Sequence, residues 1–392
     1  MRRNRTSAAL AVASILTAVS GAAVAEDAKP IGTKFDEMLD SAGLTVSGYV
    51  AASYLASNGY PFNIHQFDVE HNTFQLDQAG IQVAYQPKQG FGALIDAIAG
   101  EDARILHTAE DGHDNSFDLR QAYLQYATGP LTVIAGKFVT LAGAEVINPT
   151  LNTNFSRSLL FFDSEPLTHT GVRASYALTD ELTATAGINN GWNTTSTSFG
   201  SKTGELGLAY NPASKLFALA LNAYVGKAQS FDSSGAALFD GTKTLVDFVG
   251  TYNVTSALSI VLNFDWDQQQ KVAYVAGGTA DASWNAAALY LNYAINDQFR
   301  VSLRGEYLDD KDGFVTGTHQ TLKEGTLTFG YAPVKSFELR AEFRYDKSGS
   351  NTPTFYKTRA AVAAGVPDTD NLSQFAIQGV YKFSAPPPPP SP

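Results

Sequence analysis

Long stretches of strict alternation between apolar and polar side chains recur from Leu44 to Phe383, and they confine this chain to a sheet whose two faces meet different surroundings. In one segment Leu258, Ile260, Leu262, Phe264 and Trp266 point one way, while Ser259, Asn263, Asp265 and Asp267 point the other. In a second, Phe299, Val301, Leu303 and Tyr307 alternate with Arg300, Ser302, Arg304 and Glu306. A third sets Phe337, Leu339, Ala341, Phe343 and Tyr345 against Glu338, Arg340, Glu342, Arg344 and Asp346. Soluble sandwiches alternate too, so periodicity alone does not name the apolar surroundings. Length argues for lipid: the segments run for about 10–13 residues, against about 5–6 for soluble strands and about 9–11 for membrane strands.

The connections carry the same message. Short ones, such as Gln86-Pro87-Lys88-Gln89, Thr128-Gly129-Pro130, Thr179-Asp180, Asn211-Pro212-Ala213-Ser214, Thr255-Ser256, Asn296-Asp297 and 332–336, are built of turn residues. Between them lie long polar ones near 56–70, 101–115, 139–165, 192–202, 228–242, 270–282, 310–322 and 348–371. Short periplasmic turns opposite long extracellular loops are the plan of a transmembrane antiparallel β-barrel, and this all-β chain holds about 16 strands on that plan. An open sheet edge leaves backbone groups unbonded in lipid, so strand 44–54 must pair with strand 374–383. Near 74–85, 91–100 and 117–126 the alternation blurs, as it does at a bulge or where the strand count is out by two.

The first residues read as an export signal. Met1-Arg-Arg-Asn-Arg5 is a basic start, an apolar run covers Ala8–Val19, and Ala23-Val24-Ala25 precedes Glu26. The expected division is a signal peptide over 1–25, a periplasmic segment over 26–42 with a short amphipathic helix, the barrel over 43–383, and a proline-rich tail over 384–392. Without 1–25 the chain loses three arginines and no acid, leaving 24 bases against 38 acids, a net charge of −14. That balance excludes nucleic acid as a partner, because its phosphates demand a positive surface. There is no cysteine, hence no thiolate site and no disulfide framework. A charged fraction of 17 % with 33 glycines fits strands whose outer face meets lipid.

Several stretches resemble the OmpL-like family of outer-membrane β-barrel porins: Asp118-Leu-Arg-Gln-Ala-Tyr123, Gly143-Ala-Glu-Val146 with Asn154-Phe-Ser-Arg-Ser158, and His169-Thr-Gly-Val-Arg173. The resemblance implies a passive diffusion pore. It also directs attention to the third long connection, 139–165, since the third loop of general porins folds inward and narrows the lumen.

Glu145, Arg157, Asp163 and Glu165 are the expected constriction residues on that loop, with Leu159, Leu160, Phe161 and Phe162 as its anchors. A pore selects by diameter and by the charges lining its narrowest section. Arg173, Arg300, Arg304, Arg340 and Arg344 are expected on the pore wall, either facing the loop acids across the passage or pairing with Glu306, Glu338 and Glu342. The six histidines show no zincin spacing, and there is no Gly-x-Ser-x-Gly elbow. His107, His113, Asp111 and Asp114 read as a solvated acidic loop, and no metal or cofactor is expected.

The expected function is an outer-membrane porin of a Gram-negative bacterium, not an enzyme. Its partners would be outer-membrane lipid, small hydrophilic solutes and possible further copies of itself as a homo-oligomer. The rivals are a barrel enzyme of lipase or protease type and an exported soluble adhesin or binding module. Leu262 is expected to face lipid, and Asn263 to face an open lumen where arginine is tolerated.

Overall fold

A computed structural model describes residues 39, 41–61, 64–196, 200–231, 237–273, 279–349 and 353–385. The expected signal peptide, nearly all of the periplasmic segment and the proline run lie outside these residues. Sixteen strands make one closed antiparallel barrel among them. In order they are β1 (Leu44–Ser57), β2 (Thr73–Tyr85), β3 (Gly90–Ala99), β4 (Phe117–Thr128), β5 (Leu131–Val139), β6 (Thr168–Ala177), β7 (Leu182–Asn189) and β8 (Thr203–Tyr210). The second half comprises β9 (Phe217–Phe231), β10 (Ala237–Asn253), β11 (Leu258–Ala273), β12 (Thr279–Ala294), β13 (Phe299–Asp310), β14 (Gln320–Val334), β15 (Phe337–Ser348) and β16 (Asn371–Ala385). Each strand bonds to its sequence neighbours, and β1 closes on β16 from Val46 opposite Ala385 to Ser57 opposite Gln374. Strand β16 therefore takes in Ser384 and Ala385, two residues beyond the expected end.

The faces sort as the alternation requires. On β13, Leu303 and Tyr307 are exposed while Arg304 and Glu306 are buried. On β15, Phe343 and Tyr345 are exposed while Arg340, Glu342, Arg344 and Asp346 are buried. Phe264, Tyr381 and Phe383 also lie outside. Water would reject such an apolar exterior, whereas lipid accepts it, and a lumen can hold the charges.

Two expected loops are strands instead. The segments 228–242 and 270–282 are mostly taken up by β9 to β12, which run for 15–17 residues. Polar residues such as Gln268, Gln269 and Gln270 continue the ladder where no lipid demands an apolar outer face, so composition there mimics a loop.

The blurred alternation has its cause in register shifts. Between β1 and β2 the pairing skips Asp77, and Asp77 and Gln78 are both buried. Between β3 and β4 it jumps from Asp96–Gln121 to Ile98–Asp118. Arg120 and Gln121 consequently both reach Asp96, which a regular strand would forbid.

Asn263 does not face open lumen. It is 1 % exposed and bonded to Ala144, Asp247 and Asp265. The better lumen control is Ser259, which lines a cavity of about 250 Å³ near the β11–β12 end. Leu262→Arg on the lipid face should destabilise the barrel by about 2–4 kcal/mol, while Ser259→Arg should cost far less. Reversible denaturant unfolding in lipid vesicles measures both, and equal stabilities would refute the assignment of faces.

Candidate functional site

Sixteen strands close a lumen wide enough for water, so what matters is how that lumen is filled. Among the described residues, inward packing is supplied by 58–61 with 64–72, by helix α1 (Glu101–Asp111), by a third segment, 140–167 between β5 and β6, and by Phe355 between β15 and β16. The third carries a short helix, α2 (Leu159–Asp163), whose start is capped by Ser158 accepting from the Phe161 N–H at 3.1 Å.

This third segment crosses the lumen and is held on both walls. On one side, Leu141 N–H donates to Tyr224 at 2.8 Å, Gly143 N–H to Asp247 at 3.2 Å, and Ala144 N–H to Asn263 at 2.7 Å. Across the barrel, Glu342 accepts from Phe155 and Ser156 N–H at 2.6 and 2.9 Å, and Glu306 accepts from Leu159 N–H at 2.6 Å. Asn154 donates to Thr328 at 2.7 Å. Loop backbone has no ladder to join, so wall side chains supply its partners. Leu159 and Leu160 pack with Ile64, Leu308, Phe355 and Leu372, and Phe161 with Phe67, Leu106 and Ile147. Apolar contact thus seats the loop that polar contact orients. Gly143 is required here: its φ is +90°, and a Cβ would stand 2.0 Å from a Glu165 oxygen.

The expected constriction residues divide into two kinds. Arg157 is 3 % exposed, donates to the carbonyls of Val146, Ile147 and Phe155, and lies over the rings of Phe67 and Phe161. These contacts tie the loop to itself. Glu145 likewise joins Arg304 at 2.8 Å and Ser158 N–H at 2.6 Å. Asp163 and Glu165 are different, because they stand among other acids. Burial, then Asp310 and Asp267, push the Asp163 carboxyl well above its ordinary range. Burial, then Asp247 and Glu145, do the same to Glu165.

The wall arginines are matched where they stand. Arg304 meets Glu145, Glu306 and Glu324; Arg340 and Arg300 meet Glu338; Arg344 meets Asp346; and Arg173 meets Glu205. Several also reach the loop: Arg300 donates to the Thr153 carbonyl, Arg340 to Pro149 and Arg344 to Arg157. These contacts brace the loop against the wall, and Arg304 meets the loop acid Glu145 directly. Between the loop and the wall of β2 to β5 a cavity of about 210 Å³ is lined by Asp96, Arg120, Gln121, Val139, Glu145 and Phe161, among others.

The histidines serve other ends. His169 bonds the Gly191 carbonyl at 3.0 Å and stacks on Tyr224, while the Ser156 hydroxyl accepts from Arg304 at 3.0 Å. His107 lies 3.5 Å from Asp118 of β4. The register did bring together what sequence spacing could not: Glu165, Asp247 and Asp265 have carboxylate oxygens within 4.8 Å of one another. Asp247 escaped notice because one inward acid among seventeen strand residues is ordinary, and only the pairing of β10 with β11 reveals its neighbour.

A closed barrel with an apolar outside, a charged lumen and a long loop bound across it defines a porin of the outer-membrane type. Residues 43–383 match the family described as "Putative beta-barrel porin-2, OmpL-like", and the chain belongs to that family. No curated protein matches the sequence significantly. Among solved structures the chain is similar to the outer membrane channel DcaP of Acinetobacter baumannii, at 14 % identity and a TM-score of 0.59, covering 87 % of this chain and 98 % of that one. It is similar to the anion-selective porin from Comamonas acidovorans at 10 % identity, TM-score 0.59, covering 87 % and 99 %. OmpT of Vibrio cholerae, in a trimer form, gives 13 % identity, TM-score 0.56, and 87 % and 98 % coverage. At these identities the likeness is one of fold.

The first inward segment carries a charged tie of its own. His65 lies 2.6 Å from Asp68 and 3.2 Å from Asp346. Burial disfavours its imidazolium and Arg344 repels it, but Asp68 and Asp346 more than offset both, so its pKa stands above the ordinary 6.5. A raised folded-state pKa stabilises fully below about pH 6.5 and ceases to do so as pH rises through the folded value. Hydrogen exchange in 58–72, corrected for its intrinsic pH dependence, should therefore quicken as pH is raised from 6 to 9. His65→Gln should lose that dependence, and protection that increased with pH would refute the tie.

Proposed function

We propose that this porin is a passive channel for small hydrophilic solutes and ions in a Gram-negative outer membrane, with segment 139–165 as its constriction. The observation that carries this reading is the attachment of that segment to both walls of the lumen, from Asp247 and Asn263 to Glu306 and Glu342. Solute passes by selection at a narrow section and without turnover. The basic and apolar start of the sequence supports export by a signal peptide.

A modest cation preference is supported by where charge is left over. The arginines of β13 and β15 are matched by carboxylates, whereas Asp163, Glu165, Asp247, Asp265, Asp267 and Asp310 gather around β10 to β13 with Lys243 as the nearby base. Unbalanced acids within about a Debye length of a passage, ~10 Å at 0.1 M salt, enrich cations and repel anions.

The outer wall supports a homo-oligomer. Strands β7 and β8 have eight residues each. At about 3.3 Å per residue and a tilt near 40° they span about 20 Å, short of a ~25 Å apolar band. A second copy seated there, over exposed Tyr176, Ile188, Leu206 and Leu208, would relieve the mismatch. Cross-linking in membranes should capture the assembly, and a monomer at every cross-linker dose would argue against it.

Planar-bilayer recording tests the channel itself. Replacing 144–162 by a short Gly-Ser link should raise single-channel conductance several-fold, and an unchanged conductance would remove the segment from the constriction. Reversal potentials under a potassium chloride gradient should show a cation preference that fades as salt rises. With the bath alkaline enough to ionise the raised Asp163 carboxyl, Asp163→Asn should reduce it, whereas anion preference in the unaltered channel would overturn the electrostatic reading.

A further inference from the structure

The carboxylates of Glu165, Asp247 and Asp265 converge where the loop meets β10 and β11, with ligand oxygens within 4.8 Å of one another. An acidic cluster alone would be unremarkable in this lumen. Here the partners are missing. Glu165 is 5 % exposed, yet neither of its oxygens receives a hydrogen bond from any described residue. Asp265 is fully buried and its Oδ2 also meets no donor. Asp247 is held in place, with Oδ1 accepting from Gly143 N–H and Asn263 and Oδ2 from Asn222 at 2.7 Å. Among the described residues no arginine or lysine forms an ion pair with any of the three, while the nearest arginine-bound loop acid, Glu145, is matched by Arg304. Buried anionic oxygens need a proton, a donor or a metal, because the charge they lose to water must be met inside the protein.

We propose that these three residues form a binding site for a divalent cation of calcium size, which cross-links the loop to strands β10 and β11. Hard carboxylate oxygens suit calcium or magnesium rather than softer metals. Geometry then favours calcium. Oxygens within 4.8 Å of one another can sit around a calcium ion, which accepts six to eight oxygens in irregular arrangements, whereas magnesium demands a near-ideal octahedron that ligands from one loop and two strands do not offer. Water in the polar lumen would complete the coordination. Gly143 belongs to the same design, because its lack of a side chain lets the loop backbone lie against Glu165 and donate to Asp247. The inference stands on the cluster and not on the ion preference of the channel.

Trp284 offers a built-in probe: its indole N–H donates to Ser164 at 3.2 Å, next to Glu165 in sequence. The barrel, refolded in detergent free of lipopolysaccharide and stripped with a chelator, is titrated with terbium under tryptophan excitation. Saturable emission should appear and be displaced by calcium at concentrations about tenfold or more below those of magnesium. Glu165→Gln and Asp265→Asn should each weaken terbium binding about tenfold or more, while Asp297→Asn, an exposed turn acid, should not. Calcium should also raise the melting temperature of the unaltered barrel. If one variant fails to refold, the other and the calcium-to-magnesium comparison still decide. No saturable emission from the folded barrel, equal displacement by magnesium, or undiminished binding in the refolded variants would overturn the site and leave protonation as the way the acids are accommodated.

Discussion

Every backbone N–H and C=O that enters the hydrocarbon of a bilayer must find its partner inside the protein. A single antiparallel sheet satisfies that demand only if its first and last strands meet, and β1 with β16 does so over twelve paired positions. All else follows from the closure. Closing the sheet divides its side chains into an outer set and an inner set, and the two-residue repeat assigns apolar residues to lipid and polar ones to the lumen. A slip of one residue in any strand would exchange the two sets, so register is held by the environment as firmly as by hydrogen bonds.

Inside, the same polar crowd must be neutralised without bulk water at every group. The barrel does this in sectors. Strands β13 to β15 interleave arginines with glutamates and spend the surplus donors and acceptors on the backbone of the crossing loop. A buried, matched arginine such as Arg304 is costly to unpair, on the order of 3–5 kcal/mol, which makes this half of the lumen rigid. The sector around β10 and β11 has the reverse composition, carboxylates with few bases, and is where mobile charge has most to interact with.

How much of this was legible in the residues depended on whether the feature was local. Turns such as Asn296-Asp297 and the alternation of Phe337 to Asp346 are local, and they located strands and faces closely. The extra-membrane ends of β9 to β12 were not legible, because a polar strand in water and a polar loop have the same composition. Bulges at Asp77 and between Asp118 and Gln121 were visible only as a loss of rhythm. For the loop, the apolar run Leu159–Phe162 announced burial that holds for its first three residues, with Phe162 half-buried, but the contacts of Glu145 and Arg157 depend on partners distant in sequence. A charge on a lumen loop reads as pore lining until its partner is known; Arg157 turned out to be folding its own loop. Glu165, Asp247 and Asp265 are brought together by strand register, which no spacing rule encodes.

The sockets of the crossing loop lie far along the chain from the loop itself. Its polar contacts with the wall reach across 81 residues to Asn222 and across 191 to Arg340. A chain translated and delivered from its N-terminus thus makes the loop well before it makes the places that receive it. Such distant contacts are slow to form, and none of them exists until the wall strand that carries it is in place. A barrel lacking any of those strands leaves part of the loop without its partners, so the fully bonded loop is the mark of a completed wall.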